Sequence, residues 1–352
     1  MFYVDAHLDL AFSALNYQRD LRLSVNEIRA REGKKSARGL ATVSFPDLKA
    51  ADVGLVFATL FVEPADSVVQ NETTTVYHNA AEAHQQAMAQ LDYYHRLIDE
   101  DPSMRLIGDE AGLTALLHSW QAGGDRLLGI VPLMEGADPV REPEELEMWY
   151  ERGLRIIGPA WDDTRYAAGA WRNGRSGFTP KGYHLLEVMA DLGFILDITH
   201  LSEKASFEAL ERYDGHLVAT HCNARSLVPG ERHLSDVQIR ALGERDGVIG
   251  IVLYNKFLEA TYYKGAPKER VTLDHVVAHI DHICQILGDA THVGIGSDFD
   301  GGFGAADIPS EMDTVRDFAK IGEALKSHGY ELPDVERIMG ENWVQLLQRA
   351  FA

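Results

Sequence analysis

A histidine and an aspartate stand two residues apart after the first apolar stretch of this chain, at His7 and Asp9. In an extended backbone, residues i and i+2 point to the same face. The two side chains are therefore placed to bind one metal ion together. A short His-x-Asp string also arises by chance, and a histidine at a strand end is more often a hydrogen-bonded structural residue. The pair therefore needs partners elsewhere in the chain.

Four other polar residues each come at the end of a run that is otherwise apolar: Glu135, His200, His221 and Asp298. With the first pair they make three imidazoles and three carboxylates, the mixed ligand set that suits Zn²⁺ and related divalent ions. The set contains no cysteine, which argues against a closed structural zinc site. One catalytic zinc takes three protein ligands, whereas two ions roughly 3.5–4 Å apart that share a carboxylate use the larger set. These residues point to a binuclear metal-dependent hydrolase.

The elements that must position these residues are eight short, continuously apolar runs, most of them followed by a helical pattern. Such runs predict a parallel sheet with both faces covered, here a (β/α)₈ TIM barrel with extended βα loops, whose carboxyl strand ends meet on one face. The alternative is an open doubly wound sheet, which would usually carry a glycine-rich phosphate motif where this chain has His7 and Asp9. The runs cover residues 2–4, 55–61, 127–134, 154–157, 194–200, 217–221, 247–254 and 292–297.

Periodic apolar positions predict a long helix over residues 72–99 and a shorter one over 180–192. His84 and His95 lie on the long helix and are interpreted as satisfied side chains. Residues 162–178 are polar and glycine-rich and are predicted to form a loop. We find no internal repeat or linker, so the chain is interpreted as a single domain over residues 1–352.

The charge balance excludes several classes of partner. The net charge of −21 argues against nucleic acid and anionic membranes. Two cysteines offer no disulfide framework, which fits a reducing compartment. The N-terminus has no signal-peptide pattern and no apolar run reaches the length of a membrane span, so the sequence predicts a cytoplasmic protein.

The chain resembles the membrane (renal) dipeptidases, peptidase family M19 of the amidohydrolase superfamily, over essentially its whole length. The motifs that carry the resemblance, in chain order, are DAHLDL at 5–10, MEGAD at 134–138, DITHLS at 197–202, THCNAR at 220–225, RHLSD at 232–236, GIGSDFDG at 294–301 and GENW at 340–343.

The resemblance implies a centre of two Zn²⁺ ions, or another divalent metal. His7 and Asp9 would bind one ion, His200 and His221 the other, and Glu135 would bridge both. It also suggests a homodimer.

The resemblance further implies a metallo-dipeptidase, in which a metal-bridging hydroxide attacks the peptide bond of a dipeptide. The enzyme would also accept dipeptides of the L-Xaa-D-Xaa type. Asp298 would take the proton of the hydroxide and pass it to the leaving amine. Arg232 would pair with the terminal carboxylate of the substrate, since a guanidinium binds a carboxylate in two-point fashion. Asp300 is expected to fix a loop or to support a ligand.

One position departs from the family. Well-known members carry a substrate-binding histidine where this chain has Trp161, and an indole donates one hydrogen bond but accepts none. Either another group holds the carbonyl oxygen or the substrate is another small amide, such as an N-acyl amino acid or a lactam. A non-catalytic binding barrel is a third hypothesis. Neighbouring loop residues that could supply donors are Asp162, Arg165, Tyr166, Arg172 and Asn173.

Overall fold

The computed structural model describes residues 1–33, 39–68, 75–121, 126–172 and 175–352. Within these ranges, eight buried parallel strands follow one another along the chain. They are β1 Tyr3–Leu8, β2 Val53–Phe61, β3 Leu128–Glu135, β4 Ile156–Gly158, β5 Ile195–Asp197, β6 Leu217–Ala219, β7 Val248–Ile251 and β8 Val293–Ile295.

Each strand pairs in parallel with the next one, from β1 to β8. The longest ladder joins β2 to β3 and ends with Phe61 opposite Glu135. After β8 the chain returns beside β1, where the amide of Asp298 donates to the carbonyl of His7 at 3.1 Å. The sheet is a nearly closed barrel. The predicted TIM barrel is confirmed, and the doubly wound alternative is wrong.

Alternating strand residues divide the core into two layers, as the two-residue period of a strand requires. On β2, Val56 and Ala58 belong to the large apolar cluster that includes the surrounding helices. Leu55 and Phe57 instead belong to a second cluster with Trp343, which packs edge-on against Phe57 at 5.3 Å. This second cluster fills the barrel below the strand ends, so the carboxyl ends remain free for polar side chains.

Helices surround the barrel and lie in every connection between its strands. In the described residues they are α1 Leu10–Asn16, α2 Val25–Glu32, α3 Phe45–Ala50, α4 Ala80–Glu100, α5 Glu110–Gln121, α6 Leu146–Glu151, α7 Pro180–Leu192, α8 Glu203–Arg212, α9 Asp236–Gly243, α10 Asn255–Leu258, α11 Leu273–Leu287, α12 Ala319–Ser327, α13 Leu332–Glu336 and α14 Asn342–Ala350.

The long helix begins later than its periodicity predicts. Asn79 caps it by accepting hydrogen bonds from the amides of Ala81 and Glu82, both at 3.1 Å. Just before the cap, residues 76–77 pair with residues 63–64 in a two-stranded parallel sheet. The prediction of helix over 75–79 is therefore wrong, and its first residues, 72–74, lie outside the described ranges.

Other details agree with or add to the sequence analysis. His84 and His95 are satisfied by backbone carbonyls, each at 3.0 Å. A short strand, Met104–Leu106, pairs with β3 and was not predicted. Both cysteines are free. Within the described residues, we find no helix with the length and apolar character to cross a membrane.

Candidate metal centre

The barrel brings the six predicted polar side chains to the carboxyl ends of its strands. Glu135 is the last residue of β3, and His7 lies near the end of β1. His200 and Asp298 follow their strands in the left-handed backbone region, with φ of 65° and 59°. Non-glycine residues adopt this conformation rarely, and it tends to occur at functional sites. The backbone here is shaped to turn these two side chains.

Glu135 lies between three imidazoles. Its Oε1 is 2.9 Å from Nε2 of His200 and 3.4 Å from Nε2 of His221, whereas its Oε2 is 3.6 Å from Nε2 of His7. The side chain is almost fully buried. One carboxylate oxygen therefore faces two imidazoles and the other oxygen faces the third, which is the placement that a bridging ligand needs.

Two further carboxylates, those of Asp9 and Asp298, lie near His7. Nε2 of His7 lies 4.0 Å from Oδ1 of Asp9 and 3.9 Å from Oδ1 of Asp298. Thr59 donates a hydrogen bond to Asp9 and holds its carboxylate in place. Ligand atoms of His7, Asp9 and Asp298 lie within 4.8 Å of one another, and so do those of His7, Glu135 and His221.

The ring nitrogens fit divalent metal ions. Nε2 of His7 is buried and has no hydrogen-bond partner among the described residues. Nε2 of His200 and Nε2 of His221 lie 3.0 Å apart and both face Oε1 of Glu135. Imidazole nitrogens and carboxylate oxygens that converge in this way are the donor set of Zn²⁺ and its neighbours. The residues present therefore fit a metal centre.

Burial and mutual charge shift the pKa values of this cluster strongly. Burial raises the pKa of Asp9 to about 6, and it raises the pKa of Asp298 well above its usual value. Burial opposes the charge of His7, but Glu135 and the two aspartates outweigh it and raise its pKa to about 9. Burial, with Arg232 beside it, lowers the pKa of His200 to about 4. Cations that enter the cluster must therefore displace protons.

A tight loop places Asp298 at the centre. Its backbone amide is tied to β1, and its carbonyl accepts from the amide of Gly301 at 2.9 Å. A Cβ atom at Gly301 would lie 1.8 Å from Oδ1 of Asp298. Position 301 must therefore be glycine for the carboxylate to take this place.

Asp300 fixes a loop through buried contacts with Thr42 and Arg19. Its Oδ1 accepts from the amide of Thr42 at 2.8 Å and from the hydroxyl of Thr42 at 2.7 Å, and its Oδ2 lies 3.2 Å from Nη1 of Arg19. Both members of this ion pair are buried. Asp300 therefore joins the β8 loop to the segment that follows α2.

The Asp300→Asn variant is expected to lower the free energy of unfolding by about 3 kcal/mol, because it leaves a buried guanidinium short of one partner. Asp20→Asn is the matched control, since Asp20 pairs with Arg22 at the surface and such pairs contribute about 0–1 kcal/mol. Denaturant unfolding of both variants measures the difference. Equal losses in the two variants would contradict the role given to Asp300.

A cavity of about 190 Å³ opens above the centre and reaches four of the candidate metal ligands, Asp9, Glu135, His200 and His221. Arg232 and Trp161 also line it, as the sequence analysis expects of substrate-binding residues. The aromatic character of the cavity walls was not predicted from the sequence. The aromatic rings come from helices, a strand and loops, and they include Phe12, Tyr17, Phe61, Trp171, Tyr254 and Phe257.

The loop residues considered as donors are engaged elsewhere. Asp162 pairs with Arg172 at 2.7 Å. Arg165 binds Asp138 at 3.1 Å, and the Tyr166 hydroxyl donates to a backbone carbonyl. Asn173 lies outside the described residues. Among the described residues of this loop, Trp171 lines the cavity.

Comparison with known proteins finds one family over almost the whole chain. A family model described as membrane dipeptidase, peptidase family M19, matches residues 1–351. An uncharacterised protein in the pqqA 5′ region of Klebsiella pneumoniae is 32% identical over 237 residues, or 64% of this chain and 84% of that protein. An uncharacterised dipeptidase of Schizosaccharomyces pombe is 25% identical over 303 residues, or 84% of this chain and 70% of that protein.

Two solved structures are similar over nearly their whole length. A metallo peptidase from Rhodobacter sphaeroides, bound to a phosphinate mimic of the dipeptide L-Ala-D-Ala, has a TM-score of 0.79 and 25% identity, covering 99% of both chains. The dipeptidase AC, a metallo peptidase of family M19, has a TM-score of 0.80 and 25% identity, covering 100% of this chain and 99% of that one.

Fold and site together define a metal-dependent hydrolase with an amidohydrolase-like barrel. The chain belongs to the membrane dipeptidase family, peptidase family M19. The family and the metallo-dipeptidase class of enzyme predicted from the sequence are both confirmed, and with them the use of a divalent metal.

Proposed function

We propose that this enzyme hydrolyses dipeptides, including L-Xaa-D-Xaa dipeptides, at a centre of two Zn²⁺ ions. The observation that carries the proposal is the carboxylate of Glu135 set between three imidazoles at the floor of the cavity. In this assignment His7 and Asp9 hold one ion, and His200 and His221 hold the other. Two bound ions supply Lewis acidity, which polarises a carbonyl and lowers the pKa of water.

Asp298 is the proton carrier of the proposed reaction. It lines the cavity, and burial raises its pKa well above the usual value. A carboxyl group at this place can accept a proton from the attacking water and release it again. The proton passes to the amine that leaves when the peptide C–N bond breaks, so Asp298 ends the cycle as it began.

Arg232 is proposed to bind the carboxylate at the C-terminus of the dipeptide. Its side chain is almost fully buried, lines the cavity, and donates to the carbonyl of His221 at 3.0 Å. Its Nε is buried without a hydrogen-bond partner among the described residues. A guanidinium that is held at one edge can bind a carboxylate at the other.

The Arg232→Lys variant is expected to raise KM for dipeptides by about 10- to 100-fold, because a two-point charged contact of about 1.5–3 kcal/mol is lost. Turnover of the corresponding dipeptide amides, which lack the carboxylate, should change little. Steady-state kinetics with both substrate series measure this, with Arg240→Lys on the exposed face of α9 as control. A similar loss of activity on the amides would show that Arg232 does not read the carboxylate.

A dipeptide library with matched L-L and L-D members tests the function itself. The zinc-loaded enzyme should cleave dipeptides, the chelated enzyme should not, and metal analysis should find close to two Zn²⁺ per chain. An enzyme with its full zinc content that cleaves no member of the library would rule out the dipeptidase assignment.

The phosphinate complex of the Rhodobacter sphaeroides relative supports including L-Xaa-D-Xaa substrates. A homodimer and a cytoplasmic location stay predictions.

A second candidate is hydrolysis of an N-acyl amino acid or a lactam. Trp161 favours it, because this indole packs on Phe61 at 4.9 Å and gives the cavity an apolar wall that supplies no hydrogen-bond acceptor. Such substrates lack the free amine of a dipeptide. Comparison of kcat/KM for N-acetyl amino acids and for dipeptides of equal size decides between the two candidates.

A further inference from the structure

The hydroxyl of Thr220 lies between two of the metal-binding imidazoles. Its Oγ1 is 3.0 Å from Nδ1 of His221 and 3.4 Å from Nδ1 of His7. It is also 2.5 Å from Oδ2 of Asp197, the last residue of β5. All four side chains are buried. One oxygen atom therefore joins the ends of β1, β5 and β6.

The single proton of the Thr220 hydroxyl determines which atom donates in each of these hydrogen bonds. A threonine hydroxyl has one proton to donate and two lone pairs to accept with. Asp197 is an acceptor, since its Oδ1 already receives the backbone amides of Thr199 at 2.9 Å and Thr220 at 3.1 Å. The short contact to Oδ2 takes the hydroxyl proton. Both imidazoles must then donate their Nδ1–H to Thr220.

A ring that carries its proton on Nδ1 presents a bare Nε2. In His7 and His221 these are the atoms that face Glu135. We propose that Thr220, anchored by Asp197, is a positioning residue that selects the metal-binding tautomer of both rings. This rests on the proposed metal centre, in which the two histidines belong to different ions, and it means that one hydroxyl supports both metal sites.

Contacts that do not involve the hydroxyl hold the backbone of Thr220 in place. The amide is bound by Asp197, and Gly250 and Gly296 pack so closely that a Cβ on either would lie 1.9 Å from the carbonyl oxygen of Thr220. His200 offers an internal comparison, because its Nδ1 has no hydrogen-bond partner among the described residues. The tautomer-selecting contact is thus specific to His7 and His221.

Zinc binding to the full-length chain tests the proposal. Thr220→Val keeps the side-chain shape but removes the oxygen, and Thr220→Ser keeps the oxygen. Competition with a chelator, followed by metal analysis, should show that Thr220→Val weakens both zinc sites by about 10- to 100-fold. Thr220→Ser should bind zinc as the unchanged enzyme does. Retention of both ions by Thr220→Val, loss of only one, or equal losses in both variants would overturn the proposal.

Asp197→Asn provides a second route if Thr220→Val does not fold. Its amide group would donate to Thr220 and turn the single hydroxyl proton toward one of the two imidazoles, which reverses the tautomer of that ring while the oxygen stays in place. Zinc affinity should again fall about 10- to 100-fold. Unchanged zinc affinity in this variant would overturn the proposal. An unchanged enzyme that fails to bind two ions would instead overturn the metal centre itself, so the two failures are distinct.

Discussion

Replacing Asp298 with Asn is expected to lower kcat by about 10²- to 10⁴-fold, the usual contribution of a general acid or base, while metal content stays near two ions per chain. The asparagine side chain keeps the shape of the aspartate, and the backbone N–H of residue 298 still donates to the carbonyl of His7. The asparagine side chain has no carboxylate that could accept a proton. Asp298 and Asp9 lie at similar distances from Nε2 of His7, 3.9 and 4.0 Å, so the metal content of the variant is what separates a proton carrier from a ligand.

Kinetics and metal analysis on the same samples separate the two roles that Asp298 could play. Asp99→Asn, on the exposed side of α4, is the matched control and should behave as the unchanged enzyme. A variant that loses its metal along with its activity would make Asp298 a ligand. A variant that keeps kcat within about tenfold would remove it from the proton transfer.

The sequence predicts those parts of the fold whose signals are local. Helix α7 has the predicted bounds because Thr179 caps its start, Pro180 fills its first position and Gly193 ends it in the left-handed region. The barrel strands are similarly clear, since both of their faces are buried and their apolar runs are continuous.

The start of α4 depends on contacts that the sequence does not display. Val76 continues the helical periodicity, yet it lies in a short strand that pairs with Glu63. The tertiary pairing and the cap at Asn79 override the local pattern. The same limit hides the strand Met104–Leu106, which is three residues long and gains its partner from β3.

The candidate site divides in the same way. The predicted metal ligands follow from their positions at strand ends, because a barrel carries all strand ends to one face. The aromatic cavity has no motif, since its rings come from separate elements far apart in the sequence. Thr220 lies inside a motif, but its contact with His7 joins residues 213 positions apart and exists only after the barrel closes.

Glu135→Gln is expected to have the largest effect on metal binding. Each oxygen of Glu135 faces a different set of imidazoles, at 2.9 and 3.4 Å on one side and at 3.6 Å on the other. An amide has one oxygen, so whichever way it turns, one set of imidazoles faces an NH₂ group that cannot bind a metal. The negative charge of Glu135 is lost as well. Burial opposes this charge, but the three imidazoles stabilise it and lower the pKa of Glu135 well below its usual value.

Affinity for both ions should therefore fall together by about 100-fold or more, since even residues that only support a ligand contribute about 10- to 100-fold. Activity at low zinc should vanish, and Glu187→Gln on the exposed side of α7 should change neither property. Zinc titration with metal analysis distinguishes a bridge from a ligand of one ion. If a single ion remains bound with its original affinity, Glu135 serves one site only, and the two sites are then linked through Thr220 and the contact between the rings of His7 and His221, whose centres lie 3.6 Å apart at an interplanar angle of 34°.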